Sequence, residues 1–280
     1  MRFAKIYLEI TNVCNRSCSF CPKTAREPAF LRVERFAQYA ERLRPYTDYL
    51  YLHVMGEPLL HPQLDRILDH AGSLGYRVIL TTNGTLLQEQ IGMLLSKQAL
   101  HKLNISLHSF EANGPGDLDA YLSRCIAASK RAAASGRVVN LRLWNLDSAA
   151  QPGANRENEH ILALLHSAFP GEWPLRRGDD CLSEMIYLHR DRIFQWPDLE
   201  ADEQPVRACY GLKDHIAVLC DGRVVPCCLD HEGVLTLGSL DDQSLDEILA
   251  GPRAQAMLRG FAKRQAVEPM CQRCGYATRF

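Results

Sequence analysis

Apolar positions along the first two thirds of the chain alternate between two spacings. Runs typical of strands are separated by stretches in which apolar residues recur at helical spacing. The predicted strands are Lys5–Thr11, Asp48–Val54, Arg77–Thr82, Lys102–Leu107, Arg137–Leu143 and Glu184–His189. The predicted helices are Leu31–Arg44, Gln63–Ser73, Thr85–Lys97, Asp117–Ala134 and Asn158–Ala168.

This alternation predicts an α/β fold in which a parallel sheet carries its helices outside. Because six units are too few for a closed eight-stranded barrel, we expect an open, partial (β/α)6 barrel of the TIM-like kind. Active sites of such sheets lie at the carboxyl ends of the strands. Cys14 follows the first strand, Gly56 and Glu57 follow the second, and Asn83 follows the third.

The last quarter of the chain has a different pattern. After the irregular segment Trp196–Val206, the runs His215–Leu219 and Arg223–Pro226 flank Asp221 and Gly222, which predicts a β-hairpin.

Ser244, followed three residues later by Glu247, predicts a capped helix over Leu245–Arg259. We therefore expect a core domain over residues 1–200 and a small α+β domain over 205–280.

Composition and charge argue against some functions. The chain has 280 residues and a formal net charge of −1, so it lacks the basic excess that nucleic-acid binding usually requires. No apolar run approaches the length of a membrane helix. The first ten residues alternate like a strand and are too short and polar for a signal peptide, so we expect a cytoplasmic protein.

Eleven cysteines fall mostly into two groups. In a reducing cytoplasm such cysteines bind metal more often than they form disulfides, and an odd number does not pair completely. Cys14, Cys18 and Cys21 form a CxxxCxxC triplet in the loop after the first strand. Three thiolates can ligate three irons of a [4Fe–4S] cube and leave the fourth open to a small molecule. A zinc site with a distant fourth ligand is the alternative.

Together with Phe20, this triplet resembles the CxxxCxΦC signature of the radical S-adenosylmethionine (radical SAM) superfamily. The resemblance implies a reduced cluster that donates an electron to bound SAM. It also implies that a 5′-deoxyadenosyl radical then removes a hydrogen atom from substrate. A flavodoxin- or ferredoxin-type protein is the expected electron donor.

Four further segments support this resemblance. Met55 to Pro58 is similar to the family's GGE-type motif, which implies that Gly56 and Glu57 hold the SAM amine. Asn83 lies in a TNG motif, which is frequent in the family. Ser106 and Arg142 lie where SAM-binding side chains occur in the family. Glu57 as a solvated loop acid and Arg142 as a structural ion-pair partner are the alternatives.

Cys209, Cys227, Cys271 and Cys274 form the best second set of ligands. They resemble the Twitch domain, a short relative of the SPASM domain, which implies one auxiliary [4Fe–4S] cluster; a zinc ribbon is the alternative. Cys228 can replace Cys227 as ligand. Cys220 and Cys125 are expected to have no ligand role.

A fully ligated second cluster favours electron transfer, so we expect oxidation of a small-molecule or peptide substrate with this cluster accepting an electron. Epimerisation or cross-linking of a peptide is a second possibility. A non-catalytic iron–sulfur electron carrier or redox sensor, and an RNA-modifying enzyme, are further alternatives. The sequence assigns no catalytic residue; the substrate-side candidates are His53, His61, His108, Trp144, Tyr187, His189 and Asp230.

Overall fold

One eleven-stranded sheet organises the computed structural model, which describes residues 1–110, 116–146, 155–206 and 208–280. The strands in chain order are β1 Lys5–Leu8, β2 Tyr49–Tyr51, β3 Arg77–Thr82, β4 Leu100–Ser106, β5 Val138–Leu146, β6 Leu175–Arg176, β7 Asp179–Ser183, β8 Ile186–Arg192, β9 His215–Val218, β10 Arg223–Val225 and β11 Gly238–Ser239. β1 to β5 and β8 pair in parallel, in chain order. All six predicted barrel strands are therefore confirmed, and all except β3 have shifted ends.

Each α-helix of the described residues contributes buried side chains to one hydrophobic core. The α-helices are α1 Val33–Leu43, α2 Leu64–Ser73, α3 Leu87–Ser96, α4 Leu118–Ala134, α5 Asn158–Ala168, α6 Leu245–Ala250, α7 Pro252–Ala262 and α8 Pro269–Gln272. α1 shows how they form, because Phe36, Tyr39 and Leu43 recur at helical spacing and are at most 1% exposed. Burial of one such side chain contributes about 1.5–3 kcal/mol. No helix among the described residues is long and apolar enough to cross a bilayer.

The C-terminal hairpin is part of the barrel sheet. β9 pairs antiparallel with β10, as predicted, and also pairs in parallel with β1, where Lys5 is in register with His215 and Leu8 with Val218. The same hydrophobic core contains residues from both ends of the chain, including Leu8 and Val218. The auxiliary region is thus fixed to the first barrel strand through backbone hydrogen bonds.

Two elements differ from the sequence predictions. The helix predicted over Leu245–Arg259 is wrong as one element, because α6 and α7 are separated at Gly251, where Pro252 cannot donate a backbone hydrogen bond. Its predicted start is confirmed, since Ser244 and Glu247 form a capping box. The antiparallel β6–β7 hairpin was not predicted.

Candidate functional site

The loop that carries the first three cysteines is closed at its base. Thr11 Oγ1 donates to the Ala29 carbonyl oxygen at 2.9 Å, and Asn12 Nδ2 donates to that of Glu27 at 2.9 Å. The Ala29 amide donates to Asn12 Oδ1 at 2.7 Å. Residues 13–28 therefore form a loop pinned at the carboxyl end of β1.

Gly56 brings the turn after β2 against this loop. Its φ is +76°, and a Cβ there would lie 2.5 Å from the Thr11 carbonyl oxygen and 2.8 Å from that of Val13. The next amide, of Glu57, donates to the Val13 carbonyl oxygen at 2.8 Å. Only glycine fits such a close approach with a positive φ.

Glu57 is buried, and its carboxylate joins two segments of the protein. Oε1 accepts from the Leu59 amide at 3.0 Å and Oε2 from the Asn83 amide at 2.7 Å. Burial raises the pKa of Glu57 to about 7, against the effect of these hydrogen bonds. Both oxygens are thus engaged inside the protein, and Glu57 is not a solvated loop acid.

Asn83 holds the turn after β3 against the cysteine loop. Its Nδ2 donates to Asn15 Oδ1 at 2.8 Å and lies 3.9 Å from Cys14 Sγ. Its Oδ1 accepts from the Thr85 amide at 3.0 Å, and the Tyr121 hydroxyl donates to its carbonyl oxygen at 2.8 Å. The predicted residues at the ends of the first three strands are therefore brought together.

A cavity of about 410 Å³, here named the Cys14 cavity, opens beside this loop. The residues predicted to bind iron or SAM that line it are Cys14, Cys18, Cys21, Phe20, Gly56, Ser106 and Arg142. Phe20 packs against His108 with ring centroids 4.8 Å apart, and its carbonyl oxygen accepts from Trp196 Nε1 at 3.0 Å. Glu57 and Asn83 do not line the cavity but hold the turns that border it.

The second cysteine set lines a cavity of about 430 Å³, here named the Cys227 cavity. It is bordered by Cys209, Cys227, Cys228, Cys271 and Cys274. A Cβ on Gly211 would lie 3.5 Å from both Cys209 Sγ and Cys227 Cβ, so these two ligand candidates are neighbours. Burial raises the pKa of Cys227 and Cys271, and further thiols nearby raise it more.

The two cavities adjoin one another, because five side chains line both. They are His53, Val54, Arg142, Trp144 and Trp196. We name the combined space the lumen. It connects the loop after β1 with the cysteines of the last quarter of the chain.

The other substrate-side candidates separate into two groups. Those that line the lumen are His53, His108, Trp144 and Asp230. Burial lowers the pKa of His53 to about 3, so this imidazole is neutral. His61 Nε2 instead contacts the Leu31 carbonyl oxygen at 2.9 Å, and Tyr187 does not line either cavity.

His108, His189 and Asp230 also have partners within the protein. His108 Nδ1 contacts the Arg142 carbonyl oxygen at 3.1 Å, and burial lowers the pKa of His108 to about 4. His189 Nδ1 lies 3.8 Å from the Asp179 carboxylate. The Asp230 carboxylate accepts two amides of its own loop, at 2.7 and 2.8 Å.

Sequence reasoning missed Glu9, whose side chain is fully buried. Arg26 donates to both of its oxygens, at 2.7 and 2.8 Å. The Met55 amide donates to Oε1 at 3.1 Å and the Cys220 amide to Oε2 at 3.0 Å. We name these four residues the Glu9 network; it links the cysteine loop, the turn after β2 and the C-terminal hairpin. The sequence offered one indication of this role, because Glu9 is an acidic residue within the predicted strand Lys5–Thr11.

The chemistry of the donor sets fits iron–sulfur clusters. Among the described residues, no three His, Cys, Asp or Glu side chains converge on one point that a single metal ion could occupy. A four-iron cube is wider than one ion, and soft thiolates are its usual ligands. Each cysteine set borders a cavity large enough to contain such a group.

Comparison with known proteins identifies both regions. Residues 8–134 match the radical SAM superfamily, and residues 209–275 match SPASM, an iron–sulfur cluster-binding domain. A radical SAM domain binds a [4Fe–4S] cluster and SAM, and a SPASM domain binds auxiliary iron–sulfur clusters. The boundaries of the second match coincide with Cys209 and the residue after Cys274.

Individual relatives are distant. The chain is 23% identical to a probable GTP 3′,8-cyclase of Pyrobaculum aerophilum over 59% of its own length and 53% of that protein's. It is 24% identical to the PqqA peptide cyclase of Xanthomonas euvesicatoria over 96% of its length and 79% of that protein's. The chain spans about half or less of the first curated relatives that it matches. The crystal structure of BtrN with AdoMet and 2-DOIA has the same fold, with a TM-score of 0.63 and 16% identity over 98% of this chain and 93% of BtrN.

Proposed function

We propose that this chain, which carries a radical SAM domain followed by a SPASM domain, oxidises an unactivated C–H bond of a substrate held in the lumen. The observation that supports the proposal best is the arrangement of the two cysteine sets. They border adjoining cavities that share five side chains, so a substrate between them is near both sets.

The residues of the Cys14 cavity would have distinct roles. Cys14, Cys18 and Cys21 would hold the first cluster, and Gly56 and Ser106 would contact SAM. Glu57 and Asn83 would position the turns after β2 and β3 from outside the cavity, because their side chains are bonded within the protein.

Cys209, Cys227, Cys271 and Cys274 would hold the auxiliary cluster. When bound, the first cluster would supply the electron for the reductive cleavage of SAM, and the second would accept the electron left on the substrate once a hydrogen atom and a proton have been removed. The protein's own contribution is to orient the substrate and to exclude water. Phe20, Trp144 and Trp196 provide apolar walls for this purpose.

A test compares cysteine variants of the anaerobically reconstituted protein. With dithionite or a flavodoxin as reductant, wild type is expected to form 5′-deoxyadenosine from SAM, and Cys18→Ala to form none. Cys227→Ala with Cys271→Ala is expected to lose the auxiliary cluster's iron while retaining part of the SAM cleavage. Cys181→Ala is the control, since this thiol lies in β7 and borders neither cavity.

Two results would count against the proposal. One is the absence of 5′-deoxyadenosine from wild type that contains both clusters. The other is an unchanged iron content in the Cys227 and Cys271 double variant, which would leave those residues without a ligand role.

Modification of a peptide is the second candidate function. It is supported by the similarity to a peptide cyclase over 96% of this chain. A peptide encoded beside the gene would be the first substrate to test in D₂O. Epimerisation adds one solvent deuterium to the product, whereas dehydrogenation lowers the product mass by two hydrogens.

A further inference from the structure

The centre of the lumen holds a cationic side chain that has no anionic partner. Arg142 lines both cavities, and its Nε is buried without a hydrogen-bond partner. No salt bridge joins Arg142 to any of the described residues. Its guanidinium instead lies over the ring of Trp144, 4.5 Å from the centroid. A guanidinium remains protonated in proteins, so the charge persists.

Neighbouring charges increase the positive potential. Lys5 also lines the Cys227 cavity, and its Nζ lies 5.2 Å from the centroid of the Tyr51 ring. Burial lowers the pKa of both Lys5 and Lys102, and the positive charge of Arg142 lowers it further. The space around Arg142 therefore carries cationic groups on more than one strand.

The nearby acids do not neutralise these groups. Asp179 lies beside His189 Nδ1, at 3.8 Å, and Asp230 is bonded to backbone amides of its loop. Asp214 borders the Cys227 cavity and attracts Lys5 without forming an ion pair within the described part of the chain. An uncompensated buried cation is costly, which favours a ligand that brings a negative charge.

We propose that Arg142 binds an anionic group of the substrate, a carboxylate or a phosphate, in the lumen. This inference rests on the proposed function and specifies its substrate class. Arg142 has several N–H donors in a fixed planar arrangement that matches either oxyanion in bidentate geometry. The aromatic side chains around it, Tyr7, Tyr51, Trp144 and Trp196, fit an apolar or planar remainder of the substrate.

The alternative ligand for Arg142 is the carboxylate of SAM, which the family resemblance implied. The surroundings of the guanidinium favour substrate. Tyr7, Tyr51, Tyr276 and Asp179 raise the pKa of Arg142 against burial. All three tyrosines line the Cys227 cavity, and none of them lines the Cys14 cavity. The pKa of the Cys14 thiol is instead raised by burial and by the charges of Glu57, Cys18 and Cys21.

The test measures binding of small probes to the reconstituted holoenzyme with SAM present. Benzoate and phenyl phosphate are the anionic probes, and benzamide is the neutral isostere of benzoate. Isothermal titration calorimetry measures the dissociation constant of each probe, and the Arg142 variants report whether the probe binds at this side chain. Arg142→Gln removes the charge and Arg142→Lys retains it without the planar fork. Arg77→Gln is the control, because Arg77 is an exposed arginine at the start of another barrel strand.

For wild type we expect benzoate or phenyl phosphate to bind about tenfold more tightly than benzamide, which corresponds to about 1.4 kcal/mol. Arg142→Gln should abolish this preference, Arg142→Lys should retain part of it, and Arg77→Gln should leave it unchanged. The anion that binds more tightly, benzoate or phenyl phosphate, indicates whether the substrate carries a carboxylate or a phosphate. SAM affinity, measured by equilibrium dialysis, should change less than about twofold.

If neither benzoate nor phenyl phosphate binds to wild type more tightly than benzamide, the inference is overturned without any variant. Weaker SAM binding by Arg142→Gln, with unchanged benzoate binding, would assign Arg142 to the SAM carboxylate instead. Formation of 5′-deoxyadenosine is a separate readout. If it fails while the anion preference persists, the proposed function is wrong and the anion site remains.

Discussion

Replacement of Glu9 by glutamine tests whether one buried carboxylate couples the two cysteine regions. The side chain of Glu9 is 0% exposed and that of Arg26 is 11% exposed. Glutamine has the same shape but only one acceptor oxygen. It would leave the Arg26 charge without a counterion, and it would place an amide donor against at least one of the N–H groups that now point at the carboxylate.

The expected loss of stability follows from this geometry. Removal of one partner of a buried ion pair costs about 3–5 kcal/mol, because the remaining charge stays desolvated. Each backbone amide left without an acceptor adds about 1–3 kcal/mol when the site cannot rearrange. We therefore expect Glu9→Gln to lower the free energy of unfolding by about 3–5 kcal/mol. Glu9→Gln with Arg26→Gln should cost less than the sum of the two single variants, since the stranded charge is gone.

Urea unfolding of the anaerobic protein measures this quantity from the midpoint and the slope. Glu268→Gln is the matched control. Arg253 also donates to this carboxylate twice, at 2.8 Å each, but its side chain is 38% exposed. Water screens this pair, so the control should lose no more than about 1 kcal/mol. A Glu9→Gln loss as small as the control's, or a double variant whose loss is additive, would refute the coupling.

Three further predictions concern the site. Gly56→Ala should abolish 5′-deoxyadenosine formation and lower the melting temperature, because the new Cβ would lie 2.5 Å from a backbone oxygen at the base of the cysteine loop. Gly92→Ala is the control. Its Cβ would have no atom within 4 Å, so this substitution should stabilise helix α3 by up to about 1 kcal/mol. Burial raises the pKa of Glu57 from 4.5 to about 7, so the folded state binds this proton more tightly than the unfolded chain. Stability from Glu57 should therefore be fully present below about pH 4.5 and be lost as pH rises through about 7, by at most ~1.4 kcal/mol per pH unit. Glu57→Gln should lack that slope in melting curves recorded from about pH 4.5 to 7. Trp196→Ala should open the lumen and hasten loss of cluster absorbance in air severalfold, whereas Trp173→Ala, which removes a side chain outside both cavities, should not.

Local patterns predicted most of the barrel. Helix α5 begins and ends at the predicted residues, and β3 matches its predicted range. These elements are set by periodicity within one segment, which a sequence displays directly. The end of α6 at Gly251 could also have been predicted, because a proline follows this residue. The predicted helix was too long because its spacing was continued across Pro252.

Contacts between distant segments could not be predicted in this way. The Cys220 amide that reaches Glu9 lies 211 positions away, and nothing in either local pattern indicates the contact. The same holds for the lumen position of Lys5, which reads in sequence as a solvated strand end. The β6–β7 hairpin was missed because its turn, Arg177 and Gly178 at positive φ, lacks the usual Asn-Gly or Asp-Gly signal.

The pairing of β9 with β1 fixes the two cysteine regions relative to one another. Cys14 follows β1, and Cys209 precedes β9, which is in parallel register with β1 over four residue pairs. A parallel register fixes the axial position of one strand relative to the other, because a slip of one residue would turn every side chain to the opposite face. The distance between the cysteine sets is therefore set by backbone hydrogen bonds and by the Glu9 network rather than by a flexible linker. The proposed oxidation would need such a fixed separation between two electron-transfer sites, and the single sheet provides it.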